Sequence, residues 1–228
     1  MDERIEHLKE DGDAVKKAMD TNRTKLDAKN FKQAKYDSFT AAQLNLDLKD
    51  KEQSKAEELA ISATTEKNNT KQEAADLINN LNLTVKSAVG NDKYTLKMFK
   101  VDEPITGGYN GIIDRCEYLG GIDEANLNIL FDNGMTQEAF ETIKAMPEKL
   151  RNANSSQNAA KKKQKAATEV RDAAGKAFKS EINKIRNFVK ANFPKDKEML
   201  IAFEPVPKDG GSKGGDSETT TPPQNPPA

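Results

Sequence analysis

The sequence predicts an all-α protein, a tandem duplicated, antiparallel helical bundle of elongated form with a disordered C-terminal tail. Three observations carry this. Residues 13–89 contain neither Gly nor Pro, so nothing there punctuates strands. Apolar residues recur at spacings of three and four, the period of a one-sided helix. And sliding the 228-residue chain by 104 positions superposes its two halves without a gap.

The repeat is clearest where Ile78-Asn79 falls on Ile182-Asn183, Val85-Lys86 on Val189-Lys190, Asp92-Lys93 on Asp196-Lys197, and Phe99 on Phe203. Upstream the same shift pairs Asn22 with Asn126, Leu26 with Leu130, Leu46 with Leu150 and Gln53 with Gln157. In all, 17 positions are identical, where composition alone would give roughly six or seven. An ancient duplication is the reading, with repeats over 1–104 and 105–207 and a tail over 208–228.

Within each copy the first helix carries Ile5, Leu8, Val15, Met19 and Leu26, or Tyr109, Ile112, Cys116, Leu119 and Leu130, in one phase. Each is expected to run about seven turns. Asn30 and Gly134 should end them, since both tolerate a left-handed C-terminal conformation. A second run carries Tyr36, Phe39 and Leu46, matched by Phe140, Ile143, Met146 and Leu150, with Pro147 expected to kink or restart it in the second copy only. A third carries Ala74, Ile78, Leu81 and Val85, matched by Phe178, Ile182, Ile185 and Val189, and ends at Gly90 or Pro194.

Two readings of the second and third runs compete. The polar gap at 49–55 aligns with the turn-prone Asn154-Ser155-Ser156-Gln157-Asn158 and favours a hairpin. The unbroken seven-residue register of Leu150, Gln157, Gln164 and Ala153, Ala160, Ala167, Ala174 favours one continuous coiled-coil helix, roughly 87 Å long over 136–193. The balance falls narrowly to the hairpin. Beyond, 94–99 and 198–203 each follow an Asp-Lys pair and read as short helices lidding the bundle end, with short strands as the alternative. Residues 104–108 are the inter-repeat linker. The Gly-, Thr- and Pro-rich stretch from about Lys208 has too little apolar surface to fold.

Composition narrows the function. The chain carries 36 Lys+Arg against 37 Asp+Glu, mixed throughout, and so lacks the basic face a nucleic-acid binder needs. The cluster Lys161-Lys162-Lys163-Gln164-Lys165 has no interleaved aromatics and reads as a solvated helix face. No apolar run is long enough to span a membrane, the N-terminus lacks the pattern of a secretory signal, and the lone Cys116 suits a reducing compartment. A cytoplasmic protein is expected on these grounds.

With one His and one Cys, no tetrahedral zinc site closes. The position three before His7 is Arg4, so the Glu-x-x-His motif of di-iron bundles is missing. Cys116 sits at an apolar heptad position, where a thiol is a small hydrophobe and not a nucleophile for His7. The glycines at 107, 108 and 111 follow no strand and read as a linker instead of a phosphate loop. No catalytic, cofactor-binding or metal residue is assigned, and no cofactor is expected.

One partner patch is considered: Tyr94, Met98, Phe99 and Phe203 could form an apolar surface at a bundle end. The preferred reading is that they plug the local core.

The run Ala166-Ala167-Thr168-Glu169-Val170-Arg171-Asp172-Ala173-Ala174, continuing to Ile182, Ile185, Phe188, Val189 and Lys190, resembles an uncharacterised group of bacterial helical-bundle proteins. In that group a helical region often precedes a Pro/Thr-rich linker and sometimes a β-sandwich module. The resemblance covers roughly 105–205 and more faintly 1–104, and implies the bundle but no activity or site residue.

The expected function is therefore a non-enzymatic helical scaffold or protein-interaction module whose partner is protein. A membrane-associating, pore-former-like protein and a small-molecule enzyme using bundle carboxylates are the alternatives.

Overall fold

The computed structural model describes residues 3–207; the tail expected at 208–228 lies outside the described residues. Eight helices follow in order: α1 (Glu3–Thr21), α2 (Arg23–Ala28), α3 (Gln33–Val89), α4 (Lys93–Met98), α5 (Gly108–Gly120), α6 (Glu124–Phe131), α7 (Gln137–Asn192) and α8 (Lys197–Ala202). The protein is all-α, with no strand among the described residues. The starts of α3 and α7, and of α4 and α8, lie 104 residues apart.

The hairpin reading is corrected. α3 is one helix of 57 residues and α7 one of 56. Two of the residues that read as turn signals, Asn154 and Gln157, are used instead as partners between helices. Lys67 Nζ donates to Asn154 Oδ1 at 2.7 Å and to Gln157 Oε1 at 3.1 Å, and Gln157 Nε2 donates to Thr64 Oγ1 at 3.1 Å. Turn propensity is a weak local preference, and satisfying these polar groups across the seam outweighs it. Leu46, Gln53 and Ala60 stay buried at seven-residue intervals through the polar gap, as do Leu150 and Gln157. Contacts that climb α3 descend α7, from Thr64 with Gln157 to Glu73 with Lys149, so the two run antiparallel. Pro147, buried inside α7, neither ends nor restarts it.

The first helices are shorter than expected. α1 yields to α2 at Asn22, whose side-chain amide donates to Ala18 O at 2.9 Å, competing for a helix carbonyl. α5 stops at Gly120-Gly121, costly residues for a helix interior. Gly120 is tied to packing, because a Cβ there would lie 3.3 Å from the Lys144 backbone of α7. Downstream, Asn30 (φ 67°) and Gly134 (φ 95°) take the left-handed conformation anticipated for them.

α4 and α8 are helices, not strands, and each begins at an aspartate. Asp92 accepts from Tyr94 N and from Thr95 Oγ1 at 2.5 Å, and Asp196 accepts from Met199 N at 3.1 Å. These hydrogen bonds hold the Asp92 carboxyl below its usual pKa; at Asp196 the Met199 N–H and then Lys25 do the same.

The chain divides into two compact units that are not its two sequence repeats. Among the described residues, one comprises 3–45 and 175–207, the other 46–174. Each unit takes its first helices and the start of a long helix from one half of the sequence, and the end of the other long helix with its short terminal helix from the other half. In the first unit Phe39 packs against Phe178 with ring centroids 5.2 Å apart, and Phe31 against Phe188 at 4.9 Å. In the second, Ile78, Leu81 and Val85 of α3 share a core with Leu119, Phe140 and Ile143.

Candidate interaction surface

The residues considered as a partner patch fall in both units, Tyr94, Met98 and Phe99 in the second and Phe203 in the first. Phe99 is fully buried in the core of the second unit, and Phe203 is buried in the first. Met98 is half-buried against the second core. Tyr94 alone lies open, with 79% of its surface exposed. The end of α4 is fixed from α5: Tyr118 Oη donates to Met98 O at 2.9 Å, and Lys100 Nζ sits 3.7 Å from the Tyr118 ring centroid.

His7 belongs to the first unit and Cys116 to the second. Burial pushes the Cys116 thiol up to about 11, only partly offset by Arg115, so at neutral pH it holds its proton. Among the described residues, no group of three or more His, Cys, Asp and Glu gathers that could hold a metal ion, and no helix is long and apolar enough to cross a membrane. Gly107 precedes the first turn of α5 with φ 85°. Lys161, Lys162, Lys163 and Lys165 are exposed along α7.

Sequence reasoning overlooked the buried arginines. Arg186 on α7 donates to both carboxylate oxygens of Asp11 on α1, at 2.9 and 2.6 Å. It also donates to the carbonyls of Phe203 at 2.8 Å and Glu204 at 3.2 Å, while Val206 N donates to Asp11 at 3.0 Å. Burial alone would raise the Asp11 carboxyl, but the hydrogen bonds from Arg186 and Val206 and the guanidinium charge outweigh it and hold the pKa below its usual value. In the second unit Arg115, on α5, donates to the carbonyls of Lys100 at 2.9 Å and Glu103 at 3.1 Å. In both units an arginine therefore ties down the segment after the short terminal helix. Charge patterning offered no sign of this, because a lone charge on a helix face usually reads as solvated.

A polar groove of about 740 Å³ lies between α5 and α7, lined by Asn110, Asp114, Arg151, Asn154, Ser155 and Asn158. Leu48 (53% exposed) and Leu59 (62%) stand on one side of α3, eleven residues apart and hence within about 20° of each other around the helix. Ile61 and Val170 are also exposed, on α3 and α7.

Comparison with known protein families, with curated proteins and with solved structures returns no match for this chain.

Proposed function

We propose that this chain is a non-enzymatic helical scaffold that engages other proteins through the outer surface of its long helices. The observation that carries the reading is the continuity of α3 and α7, each running from one compact unit into the other. Their seam is built for close approach and fixed register: Ala60 and Ala153 are buried in it, and Gln157, Lys67, Thr64 and Asn154 are hydrogen-bonded across it. A polar residue buried at a seam position between paired helices, as Gln157 is, pins their register at some cost in stability, as in a coiled coil. Such a seam favours fixed helix register over a deformable pocket.

Leu48 and Leu59 are the side chains best placed to meet a partner, since they expose apolar surface on one side of α3. A photo-crosslinking residue at Leu59 of the full chain, in its native cell extract, should capture a discrete protein that one at Lys163 does not. The Leu48→Lys exchange should abolish that adduct. Equal labelling at both positions, or turnover of any member of a metabolite panel by the purified chain, would sink the reading.

A further inference from the structure

Comparing the two units position by position, 104 residues apart, exposes two places where they solve one packing problem in opposite ways. The first concerns size. In the first unit Gly12 of α1 faces Phe178 of α7, and a Cβ on Gly12 would lie 2.2 Å from the ring. The corresponding residues of the second unit are Cys116 and Ala74, both buried in one core. The large residue stands on the long helix in one unit and the larger of the pair on the first helix in the other.

The second place concerns charge. Arg186, on the long helix, reaches the carbonyl of Glu204 and is neutralised by Asp11 on the first helix. The residue corresponding to Glu204 is Lys100, and its carbonyl is also held by an arginine, but by Arg115, which occupies the position of Asp11. The position of Arg186 is taken there by Asn82, whose side-chain oxygen is buried without a hydrogen-bond partner.

Each of these pairs joins one half of the sequence to the other, because each unit is assembled from both. We propose that the halves 3–102 and 108–207 are obligate partners for one another and are each barred from pairing with a copy of themselves. Two copies of the first half would set Gly12 against Ala74, leaving a void, and Asp11 against Asn82, leaving a buried carboxylate without a cation. Two copies of the second half would drive the Cys116 side chain into Phe178 and direct Arg115 and Arg186 to the same carbonyl. Mismatches of volume and of like charge at a shared interface discriminate between partners by disfavouring the wrong one. The chain is thus a covalently joined heterodimer with its recognition code at positions 11, 12, 178 and 186 and their counterparts 115, 116, 74 and 82.

The exposed linker allows a test on the full chain. A protease site inserted between Thr106 and Gly107 is cut after folding, and the nicked protein is unfolded, refolded by dilution under reducing conditions and weighed by native mass spectrometry. The mixed pair should exceed each self-pair by at least about tenfold, where indiscriminate pairing gives only about twofold. Separation of the halves, or the twofold mixture, would overturn the proposal. In a second nicked chain, Asp11→Arg, Gly12→Cys, Phe178→Ala and Arg186→Asn rewrite the first unit in the terms of the second. That chain should fold and its preference should drop to about twofold. Undiminished preference, or failure of the rewritten chain to fold, would show that the code does not lie at these positions.

Discussion

Arg186 and Asp11 meet in a two-pronged ion pair whose side chains are only 10% and 14% exposed, joining α7 to α1. The same guanidinium also holds the carbonyls of Phe203 and Glu204. Removing one partner would leave the other charge buried, so Arg186→Ala should cost about 3–5 kcal/mol in denaturant unfolding. Asp11→Asn should cost less, because the amide still accepts from Val206 N. The pH dependence follows from the lowered Asp11 pKa. A carboxyl depressed in the folded state contributes its full stabilisation above the unfolded value near 4 and loses it as pH falls through the lower folded value. Urea midpoints measured from pH 6 down to pH 2 should therefore decline more steeply for the native chain than for Asp11→Asn.

Gly12→Ala should destabilise by about 1–3 kcal/mol, the range for overpacking a well-filled core. Phe178→Ala alone should cost about 3–5 kcal/mol, through lost burial and the cavity left behind. In the double variant Gly12→Ala/Phe178→Ala the clash is gone, so the combined cost should fall below the sum. A double-mutant cycle in thermal or chemical unfolding reads this coupling directly.

The Cys116 thiol should stay unmodified by thiol reagents at pH 8 in the native state. It is buried, and its pKa of about 11 leaves little thiolate. Its labelling rate should rise in parallel with unfolding as urea is added. Prompt labelling in buffer alone would contradict the packing described.

Gln157→Ala removes the hydrogen bond to Thr64 and one of the two that Lys67 makes to α7. Because Lys67 keeps Asn154 as an acceptor, the loss should be about 1 kcal/mol. Amide exchange along 60–70 and 150–160 should quicken locally, leaving the Phe39–Phe178 core protected.

Much of the local architecture is legible in the amino-acid sequence. The aspartates at 92 and 196 and the left-handed residues at 30 and 134 announced helix ends, since capping and positive φ are demands met within a few residues of chain. The apolar positions of the third run proved buried from Ile78 to Val85 and from Phe178 to Val189. The stretch at 154–158 misled, because Asn favours a turn only while nothing else satisfies it, and Lys67 of the other long helix bonds Asn154 and Gln157. The patch at Tyr94, Met98, Phe99 and Phe203 divided between surface and core for a similar reason: hydrophobicity alone does not separate a plug from an exposed anchor.

The amino-acid order by itself settled that this protein is helical and where most of its helices stop, because periodicity and capping act over a few turns and depend on no distant partner. Which helix covers which face was settled only by tertiary packing. A period of three and four marks a side of a helix for burial without naming what buries it. The identity of that cover, one half of the chain closing over the other through Phe178 on Gly12 and Arg186 on Asp11, rests on complementary volume and charge between residues more than 160 positions apart.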